Sequence, residues 1–576
     1  MTQLFIDGQE VILPEQFELE LITENPYFTR NGEYTYDIDI DLRVPQNRQI
    51  YKNIQRSDVT TKINNRTAVI TAGAFELIRG IEVVLSVDNY TAKIQIVAGN
   101  SQLNYNGEQR IREIEIDSVN FSDDEAVNSL YGTSKTYHAV YTPVVAYKTY
   151  YNNYVNGLDL KNKVPVFNHS TNMIPQYYLL YILENIIEKL GFVKGRDYIE
   201  DYFWQRVFIV NTRPELKPQE ILPDWTVNEF FDEIEKYLHC IIVVDKFTGI
   251  YNIYKRSSYF DFSSTIYIDD VLDDNIEKVY DPDVDYAYNY DAVSYDFPSK
   301  DIYRYFRLDE NVKPLSTVVN VSSSENVDPA NYQTYYDNPY LIHSDKYGID
   351  YAMVKLVNYD TTQQEYLTLR VVNRFADGGN NDIENKTTFK IVPADIGRAE
   401  IWNYDGMDAT CPAVKSITEI NQSEEKIGIT DLINGNAKIE SYVPDRIYIG
   451  IYYGMQKVTV MKDAVYQLSE DVFPCSYVDH YFIDEFNPRE DTMPTHVNMN
   501  YTLSFSGDTG LLSYYQDDKK IDTTIEYSFK FITNKTYDLR QIFVIRNKKY
   551  FCKEIRYTIT PKGLDKVAEG VFYLVE

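Results

Sequence analysis

The sequence predicts a mainly β protein of several domains, with a minor α+β part. Period-two alternation of apolar and polar residues recurs along the chain, as in half-buried strands. Tyrosine, which suits such strands, occurs 54 times in 576 residues. A helical spacing of apolar residues is clear in the region 175–240. At roughly 150 residues per domain, this length suggests about four domains.

The first 118 residues predict a run of short strands, which is typical of a barrel or a sandwich. Asp7 and Gly8 lie between two apolar runs and predict a tight hairpin turn. The stretch that starts at Pro45 predicts the one helix of this part. We therefore expect a β-barrel-like N-terminal domain.

The stretch YTYDIDIDL, residues 34–42, places aspartates at every second position and has two interpretations. As a strand, it would put two sets of side chains on opposite faces. These sets are Tyr34, Tyr36, Ile38, Ile40 and Leu42 on one face, and Asp37, Asp39 and Asp41 on the other. As a calcium loop, it would need a glycine and then an acid where Leu42 and Arg48 stand. The strand interpretation is favoured.

A similar run of aspartates occurs later, at Asp281, Asp283 and Asp285. It fails the same test, because Tyr286 and Ala292 occupy the positions of the glycine and the acid. We expect a loop or a solvated strand face there, without bound calcium.

Residues 119 to about 170 predict a linker with edge strands, and a helix follows them. Pro175 fits the first turn of this helix and Gly191 fits its C-terminal stop. Its apolar face is expected to hold Leu179, Ile182, Leu183, Ile186, Ile187 and Leu190.

A second helix is predicted after Thr226, which forms a T-x-x-E capping box with Glu229. Trp225 and Phe230 stand where a hydrophobic staple would place them. Two apolar strands around a glycine-containing turn follow, in CIIVVDKFTGIYNIY. The two parts together predict a helix-plus-hairpin unit.

The later half of the chain predicts further strands, separated by polar stretches such as residues 322–333. Strand patterns at both ends suggest that both termini are tied into sheets. We expect four domains: a β-barrel-like domain at 1–118, a helix-containing α+β domain at 119–260, a β-rich domain at 261–400 and a C-terminal β domain at 401–576.

The net charge of −31 argues against nucleic acid as a tightly held ligand. Phosphate binding needs patches of lysine and arginine, and the sequence contains none of useful length. An acidic wall could still serve DNA by repelling it, as a conduit must.

The cysteines and histidines form no metal-binding or redox pattern. The four cysteines, Cys240, Cys411, Cys475 and Cys552, lack any CxxC spacing and predict buried thiols of a protein folded in a reducing cytosol. The six histidines are His138, His169, His239, His343, His480 and His496. His239 closes a predicted helix and is expected to be packed there.

No catalytic, cofactor-binding or metal-binding residue is assigned from the sequence. There is no G-x-S-x-G motif and no glycine-rich phosphate loop. A pair of catalytic carboxylates cannot be singled out among 87 acidic residues. The N-terminus does not resemble a signal peptide, and no apolar run is long enough to span a membrane.

Four stretches carry a resemblance to a known family. They are ENPYFTRNGEYTYDIDIDL, YILENIIEKLGF, LPDWTVNEFFDEIEKYLHCIIVVDKFTGIYNIY, and QIFVIRNKKYFCKEIRYTITPKGL with GVFYLVE. In this order the chain resembles tail structural proteins of phages and prophages, and more loosely the baseplate-hub or tail-associated proteins that close a tail tip. The resemblance touches both ends and the middle, and its motifs are structural.

The resemblance implies a homotrimer in which two barrel-like domains per chain form a ring under the tail tube. Residues 1–118 would form the first ring domain and 119–260 would hold the helix-plus-hairpin insertion. A non-enzymatic subunit of the virion tail, made in the host bacterial cytoplasm, is then expected. Its partners would be a tail tube or distal tail protein and a spike or fibre, with DNA passing through the lumen. A receptor-binding or lytic extension would belong to a separate protein.

Two alternatives remain open at the level of sequence. A carbohydrate-binding virion adhesin would use tyrosine faces to stack on sugar rings. A glycan-cleaving tail enzyme would use two carboxylates across a cleft.

Overall fold

The computed structural model describes most of the N-terminal half and the C-terminal strands. The described ranges are 1–278 and 521–575 except for 61–62, 64, 148–151, 162–163, 169–171, 200–202 and 214–216, together with 290, 292–296, 317–321, 340–344, 349–358, 364–371, 378–379, 387–400, 408–415, 443–462, 465–477, 503, 505 and 510–515. In this part of the chain the protein is mainly β, with several sheets, as predicted.

The helices of the described residues are short. They are α1 Pro26–Thr29, α2 Pro45–Ile50, α3 Asn100–Tyr105, α4 Asp123–Ser129, α5 Leu179–Lys189, α6 Val227–Leu238 and α7 Leu511–Tyr515, with 3-10 turns at Ile111–Glu113, Trp204–Arg206, Pro218–Ile221 and Arg256–Ser258.

The strands run through the whole described chain. In the first 278 residues they are β1 Thr2–Ile6, β2 Gln9–Val11, β3 Leu19–Glu24, β4 Glu33–Thr35, β5 Ile38–Asp41, β6 Arg66–Ala72, β7 Phe75–Val87, β8 Thr91–Ala98, β9 Ala139–Val140, β10 Val144–Tyr147, β11 Asn152–Val155, β12 Leu158–Lys161, β13 Val164–Phe167, β14 Gln176–Tyr177, β15 Val193–Asp197, β16 Val207–Ile209, β17 Cys240–Val244, β18 Ile250–Lys255, β19 Asp261–Ile268 and β20 Val271–Lys278. Beyond them are β21 Ala292–Tyr295, β22 Thr317–Val321, β23 Tyr340–Ser344, β24 Ile349–Asn358, β25 Gln364–Val371, β26 Gly378–Gly379, β27 Thr387–Phe389, β28 Ile391–Pro393, β29 Asp395–Glu400, β30 Asp408–Lys415, β31 Ile447–Lys462, β32 Val465–Tyr477, β33 Ile525–Ile532, β34 Gln541–Ile545, β35 Lys548–Thr560 and β36 Gly563–Leu574.

A 14-stranded sheet joins the two ends of the chain. Its main order is β2-β1-β6-β7-β8-β4-β3-β35-β36-β33-β20, and β5, β34 and β19 pair beside this path. The two ends meet where β3 pairs antiparallel with β35, from Leu19 opposite Ile559 to Glu24 opposite Glu554. The prediction that both termini are tied into sheets is confirmed, and they share one sheet.

The large sheet curls but is not a closed barrel in the described residues, because its path ends at β2 and β20. Thr2, in β1, nevertheless reaches the turn between β35 and β36. Its backbone N–H donates to the carbonyl of Pro561 at 3.1 Å, and its hydroxyl donates to the carbonyl of Thr560 at 2.5 Å. The curled sheet therefore encloses one apolar core with side chains from both ends of the chain.

Local turn chemistry matches the sequence at both ends of this sheet. Asp7 and Gly8 have positive φ angles of 48° and 74° and join β1 to β2, as predicted. Arg546 and Asn547 join β34 to β35 in the same way, with φ angles of 49° and 64°. Positive φ at both central residues matches the right-handed twist of the flanking strands.

The helix at Pro45 is confirmed as α2, with the proline in its first turn. It is not the one helix of this part, because α1 and α3 also form there. Both are short and lack a long apolar stripe, so the sequence pattern did not reveal them.

The acidic stretch at residues 34–42 is a strand in its second half. In β5, Ile38 and Ile40 are buried, whereas Asp39 is exposed and Asp41 is partly exposed. Asp41 accepts hydrogen bonds from the side chain and the backbone N–H of Arg43. The strand interpretation is confirmed here, and the aspartates lie on the solvated face.

The alternation of buried and exposed side chains shifts by one residue between β4 and β5. The prediction that Tyr34 and Tyr36 share one face with Ile38, Ile40 and Leu42 is therefore wrong. Tyr36 is 45% exposed instead of sharing the buried face of Ile38. In β4 it is Glu33 and Thr35 that face inwards. The Thr35 hydroxyl accepts a hydrogen bond from the backbone N–H of Ile96, which offsets the cost of its burial.

The region 119–170 is packed more tightly than a linker. Helix α4 begins at a capping box formed by Ser122 and Glu125, a signal that the sequence analysis missed. Ala126, Leu130 and Val140 are buried in the largest core of the described residues. The expectation of a linker is wrong here because these side chains fill that core.

The helix-plus-hairpin unit is confirmed. Helix α6 begins at the capping box of Thr226 and Glu229, and β17 pairs with β18 after it. Strand β15 adds to β18 in parallel, which makes a three-stranded sheet. Trp225 and Phe230 are both buried in the core shared with α5.

Helix α5 ends as predicted but begins later. Gly191 follows it with a φ of 97°, a conformation that glycine adopts without steric cost. Pro175 is not in its first turn, because Gln176 and Tyr177 form strand β14 beside β9. The predicted apolar stripe is buried except for Leu190, which is partly buried.

Several predicted strands of the later half are also present. LTLRV lies in β25, TTF and IVP form β27 and β28, and IYIGIYYG and QKVTVM lie in the single long strand β31. Asp281, Asp283, Asp285 and the loop at 322–333 lie outside the described residues. The boundaries of the four domains remain a prediction, although strands of the first and last predicted domains share one sheet.

The joint between the two ends of the chain can be tested with two leucines. Leu21 in β3 is fully buried between Thr35 and Tyr557. We expect Leu21→Ala to lower the free energy of unfolding by about 3 kcal/mol, because it leaves a cavity in the shared core. Urea denaturation would measure the change. Leu85→Ala, at a side chain 46% exposed, is the control and should change it by no more than about 0.5 kcal/mol.

Candidate functional site

Asn25 lies at the junction of the two ends of the chain and the hairpin unit. It is fully buried and caps helix α1, accepting a hydrogen bond from the backbone N–H of Tyr27. Its amide nitrogen donates to the carbonyls of Leu539 and Cys552 at 3.0 and 2.8 Å. Its oxygen also accepts from the Tyr259 hydroxyl at 2.8 Å. This amide therefore uses both donors and both acceptor sites within the protein.

Side chains near α1 also hold the hairpin unit. The Arg30 Nε lies 2.8 Å from a Glu235 carboxylate oxygen on α6. The Asn100 side chain in α3 forms two hydrogen bonds with the backbone of β17. It donates to the carbonyl of Ile242 and accepts from the N–H of Val244. The hairpin unit is thus bonded to the N-terminal sheet from two sides.

A cavity of about 410 Å³ opens at this junction. Its walls come from α1, β4, the turn between β17 and β18, and the segment 536–540 that precedes β34. Glu33 lines it and is only 5% exposed. The Lys246 ammonium lies 2.5 Å from one oxygen of this carboxylate. Burial raises the pKa of Glu33, and the charge of Lys246 opposes the rise.

Aromatic rings and a guanidinium form one wall of the cavity. Arg540 lies over the Tyr254 ring, 3.9 Å from its centroid, and donates to the carbonyl of Tyr259 at 3.3 Å. Tyr198 stacks on Tyr254, with ring centroids 4.5 Å apart. The faces of the Tyr254 ring are therefore covered by side chains of the protein itself.

A second cleft, of about 780 Å³, lies beside α5 and β15. Acidic side chains from several segments line it: Asp117, Glu184, Glu188 and Asp197. His138 and Tyr181, which also line it, are stacked with ring centroids 4.3 Å apart. Burial raises the pKa of Asp197 to about 6, and the nearby Glu184 carboxylate adds to the rise.

The candidates raised by the sequence lie apart from these two cavities, except for His138 in the second cleft. His239 is fully buried at the end of α6, in contact with the ring of Tyr290, so the expectation of a packed histidine is confirmed. His343 lies in β23, and the other three histidines are outside the described residues. Asp37 pairs with Lys93 at 3.3 Å on the surface.

The four cysteines are buried thiols, as predicted. Cys240 and Cys552 lie in β17 and β35, and burial raises the pKa of both thiols. In the ranges that the structure describes, no three histidine, cysteine, aspartate or glutamate side chains are grouped to hold a metal ion. Within the same ranges, no helix has the length and apolarity needed to span a lipid bilayer.

The junction residues carry little signal in the sequence. The one local signal was Asn25 before Pro26, the order that a capped helix with proline in its first turn requires. Glu33 appeared only as one acid among 87, because its partner Lys246 is remote in the sequence.

Comparisons with known proteins give distant structural similarity only. No protein-family model matches the chain, and no curated protein matches it. Among solved structures it is similar to the prophage MuSo2 43 kDa tail protein from Shewanella oneidensis, with 8% identity, TM-score 0.32 and 100% of this chain and 98% of that chain covered. A tail protein from Neisseria meningitidis MC58 matches with 6% identity, TM-score 0.30 and coverage of 100% and 96%. Prophage tail protein gp18 from Listeria monocytogenes EGD-e matches with 6% identity, TM-score 0.29 and coverage of 99% and 94%. These TM-scores are too low to establish a common fold.

Asn25 can be tested by truncation. We expect Asn25→Ala to lower the free energy of unfolding by about 3 kcal/mol, because it leaves the Leu539 and Cys552 carbonyls without their buried donor. Chemical denaturation would measure the loss. Asn128→Ala, at an exposed position in α4, is the control and should be nearly neutral. Equal stability of both variants would contradict the role of Asn25.

The second cleft predicts a pH-dependent difference in stability. Since the folded state raises the pKa of Asp197 to about 6, it binds a proton that the unfolded state has released, and stability falls as pH rises through this range. Asp197→Asn removes this loss of stability at higher pH, and its amide oxygen can still accept the hydrogen bond from the Ile199 N–H. We therefore expect the variant to gain stability relative to wild type between pH 5 and pH 7.5, measured by urea midpoints.

The control for this experiment is Asp88→Asn. Hydrogen bonds from the Tyr90 and Thr91 N–H groups lower the pKa of Asp88, so its charge does not change in that pH range. A similar gain in both variants would rule out the protonation of Asp197 as the cause.

Proposed function

We propose that this protein is a non-enzymatic structural subunit of a phage tail. It would act as a hub that closes or extends the tail tube and links it to spike or fibre proteins. The observation that carries the proposal is the convergence of the stretches that resemble baseplate-hub and tail-associated proteins. Residues 24–42, 222–254 and 541–564 contact one another through the bonds of Asn25 and Arg30 and through the pairing of β3 with β35. Residues 181–192 share a core with 222–254.

This convergence supports a family likeness because the resembling stretches form one structural joint. Scattered stretches of chance similarity would have no reason to pack against one another. Here bonds within these stretches join Asn25 to Cys552, Arg30 to Glu235 and Glu33 to Lys246.

Exposed apolar side chains support a role in a larger assembly. Phe75 is 77% exposed and Tyr267 is 69% exposed. Leu272, Ile532 and Val567 are also exposed and lie on the adjacent strands β20, β33 and β36, at one edge of the large sheet. Groups of exposed apolar side chains mark contact surfaces for other proteins. We propose that neighbouring subunits of a homotrimer meet at this edge.

The charge of the chain supports a conduit for DNA. With a net charge of −31, a ring of such subunits would repel phosphate and let DNA pass without binding it. The proposed partners are further copies of this chain, a tail tube or distal tail protein above it, and a spike or fibre below it. The proposed location is the virion tail, after synthesis in the host bacterial cytoplasm.

The acidic cleft beside α5 favours a second candidate, a carbohydrate-binding virion adhesin. Exposed carboxylates that line the cleft, such as Glu188, can accept hydrogen bonds from sugar hydroxyls. Binding to purified capsular glycan would favour this candidate. Release of reducing ends from the glycan would instead favour a glycan-cleaving enzyme, with the protonated Asp197 as the acid.

The hub proposal predicts the mass and shape of the purified protein. Light scattering should give about three times 67.4 kDa, and negative-stain images of the same peak should show a ring with a central hole. Leu272→Asp should lower the mass towards that of the monomer, since it places a charge in the proposed interface. Val193→Asp, at a side chain 59% exposed on another sheet, is the matched control and should leave the mass unchanged.

A monomer of the wild-type protein would contradict a self-assembling hub. Mass spectrometry of purified particles would then decide the broader proposal, because a tail subunit must be present in tailed virions and in isolated tails. Its absence from both would contradict any role in the tail.

A further inference from the structure

A column of three stacked rings ends in the second cleft. Tyr177 and Tyr181 stack with ring centroids 6.2 Å apart, and His138 stacks on Tyr181 at 4.3 Å. The Tyr181 hydroxyl donates to the Asp117 carbonyl at 2.9 Å, which fixes the middle ring. Both tyrosines are buried, whereas His138 is exposed and lines the cleft. Among the described residues Tyr181 is the one ring in contact with His138, so the opposite face of the imidazole can receive a ligand.

Asn185 adds a hydrogen-bond donor to the same cleft. It lies one turn after Tyr181 on α5, on the same face of the helix, and is only 7% exposed. Its Oδ1 accepts from the Asp117 N–H at 3.4 Å, and its Nδ2 donates to no group in the described ranges. Nδ2 is not one of the polar atoms that lack a partner and are also sealed from solvent. Because Asn185 lines the cleft, this nearly buried donor is reached from there.

Carboxylates beside Asn185 supply acceptors. Glu188 is exposed, lines the cleft and lies one turn after Glu184 on α5. Glu184 is paired with Lys194, whereas Glu188 has no ion pair in the part of the chain that the structure describes. Its oxygens can therefore accept hydrogen bonds from a ligand.

The balance of charge in the cleft excludes one class of ligand. The acids that line it are Asp117, Glu184, Glu188 and Asp197, and the lysines are Lys135 and Lys194. These four acids outnumber the two lysines, and they still do so when Lys189, which pairs with Asp117, is added. An anionic ligand would be repelled by this excess of negative charge.

We propose that the second cleft binds a neutral saccharide, with one pyranose ring against the open face of His138. The C–H groups on one face of the sugar pack on the imidazole. One hydroxyl accepts from Asn185 Nδ2 and another donates to Glu188. A hydroxyl suits both contacts, because it donates and accepts, whereas a charged amine has no acceptor for Asn185.

The dimensions and rigidity of the site fit this ligand. The volume of about 780 Å³ lies in the range of roughly 300 to 1,000 Å³ that small-ligand sites occupy. The stacked column holds the imidazole in place before binding, which lowers the entropy cost of association. The inference deepens the second candidate function and rests on it, since it names the ligand class and the residues of an adhesin site.

Saturation-transfer NMR of the full chain with the methyl glycosides of glucose, galactose, mannose and rhamnose tests the proposal. We expect at least one of them to bind, with the strongest transfer to the C–H groups on one face of the ring. Methyl glucuronide, which is anionic, should bind more weakly than methyl glucoside. Absence of binding by all four neutral glycosides would overturn the proposal, as would tighter binding of the glucuronide.

Asn185→Asp tests the donor. The variant keeps the acceptor for the Asp117 N–H but removes the Nδ2 donor, so we expect the affinity for the bound glycoside to fall about tenfold. Asn128→Asp adds the same charge at an exposed position in α4 and should leave the affinity unchanged. Equal affinity of Asn185→Asp and wild type would overturn the assignment of the donor.

His138→Ala tests the platform, and it decides the question if Asn185→Asp does not fold, because His138 is exposed. We expect affinity to fall about fivefold, with loss of the selective transfer to one ring face. Tyr131→Ala, at an aromatic side chain 64% exposed outside the cleft, is the control and should bind as wild type does.

The outcomes separate this site from the proposed functions. Glycoside binding that survives both His138→Ala and Asn185→Asp would overturn the site but leave an adhesin that binds sugar elsewhere. Failure of the hub proposal would appear instead in light scattering, as a monomer, whether or not the glycosides bind.

Discussion

The four hydrogen bonds of the Asn25 side chain are the contact on which the rest of the structure depends. They join α1, the segment before β34, strand β35 and the end of the hairpin unit at one buried amide. A backbone bond from the Asn25 N–H to the carbonyl of Lys553 lies beside them. No apolar side chain could replace this amide, because each of its partners is a buried polar group that would lose its bond.

Charged pairs complete the joint that Asn25 begins. Arg30 with Glu235, and Lys246 with Glu33, are mostly shielded from water, and both link the N-terminal sheet to the hairpin unit. Buried pairs of this kind add little net stability, because the charges lose their hydration, but the loss of one partner is costly. They therefore favour one arrangement of the hairpin unit over others. The cavity at the same place is a consequence of this joint, which brings polar groups from distant parts of the chain together.

Local features could be predicted from the sequence, whereas remote contacts could not. The capping box at Thr226, the turn at Asp7 and Gly8 and the stop at Gly191 depend on a few neighbouring residues, and all three are present. Glu33 faces inwards, where it pairs with Lys246, and Tyr36 is exposed after β4. Alternation alone therefore predicted the wrong buried face for the tyrosines. The pairing of β3 with β35 has no local signal, because any strand of matching length could take that place. Both cavities were missed for the same reason, since their walls come from separate segments.

The pairing of the two ends of the chain has a consequence for synthesis on the ribosome. Asn25 and Cys552 are 527 positions apart. At roughly 5 to 20 residues per second, β3 waits about half a minute to two minutes before β35 emerges. During that time the edge of β3 that will face β35 is unpaired and can pair with other nascent chains. We expect this protein to depend on chaperones that bind nascent chains, and codons that slow translation would prolong the period of risk.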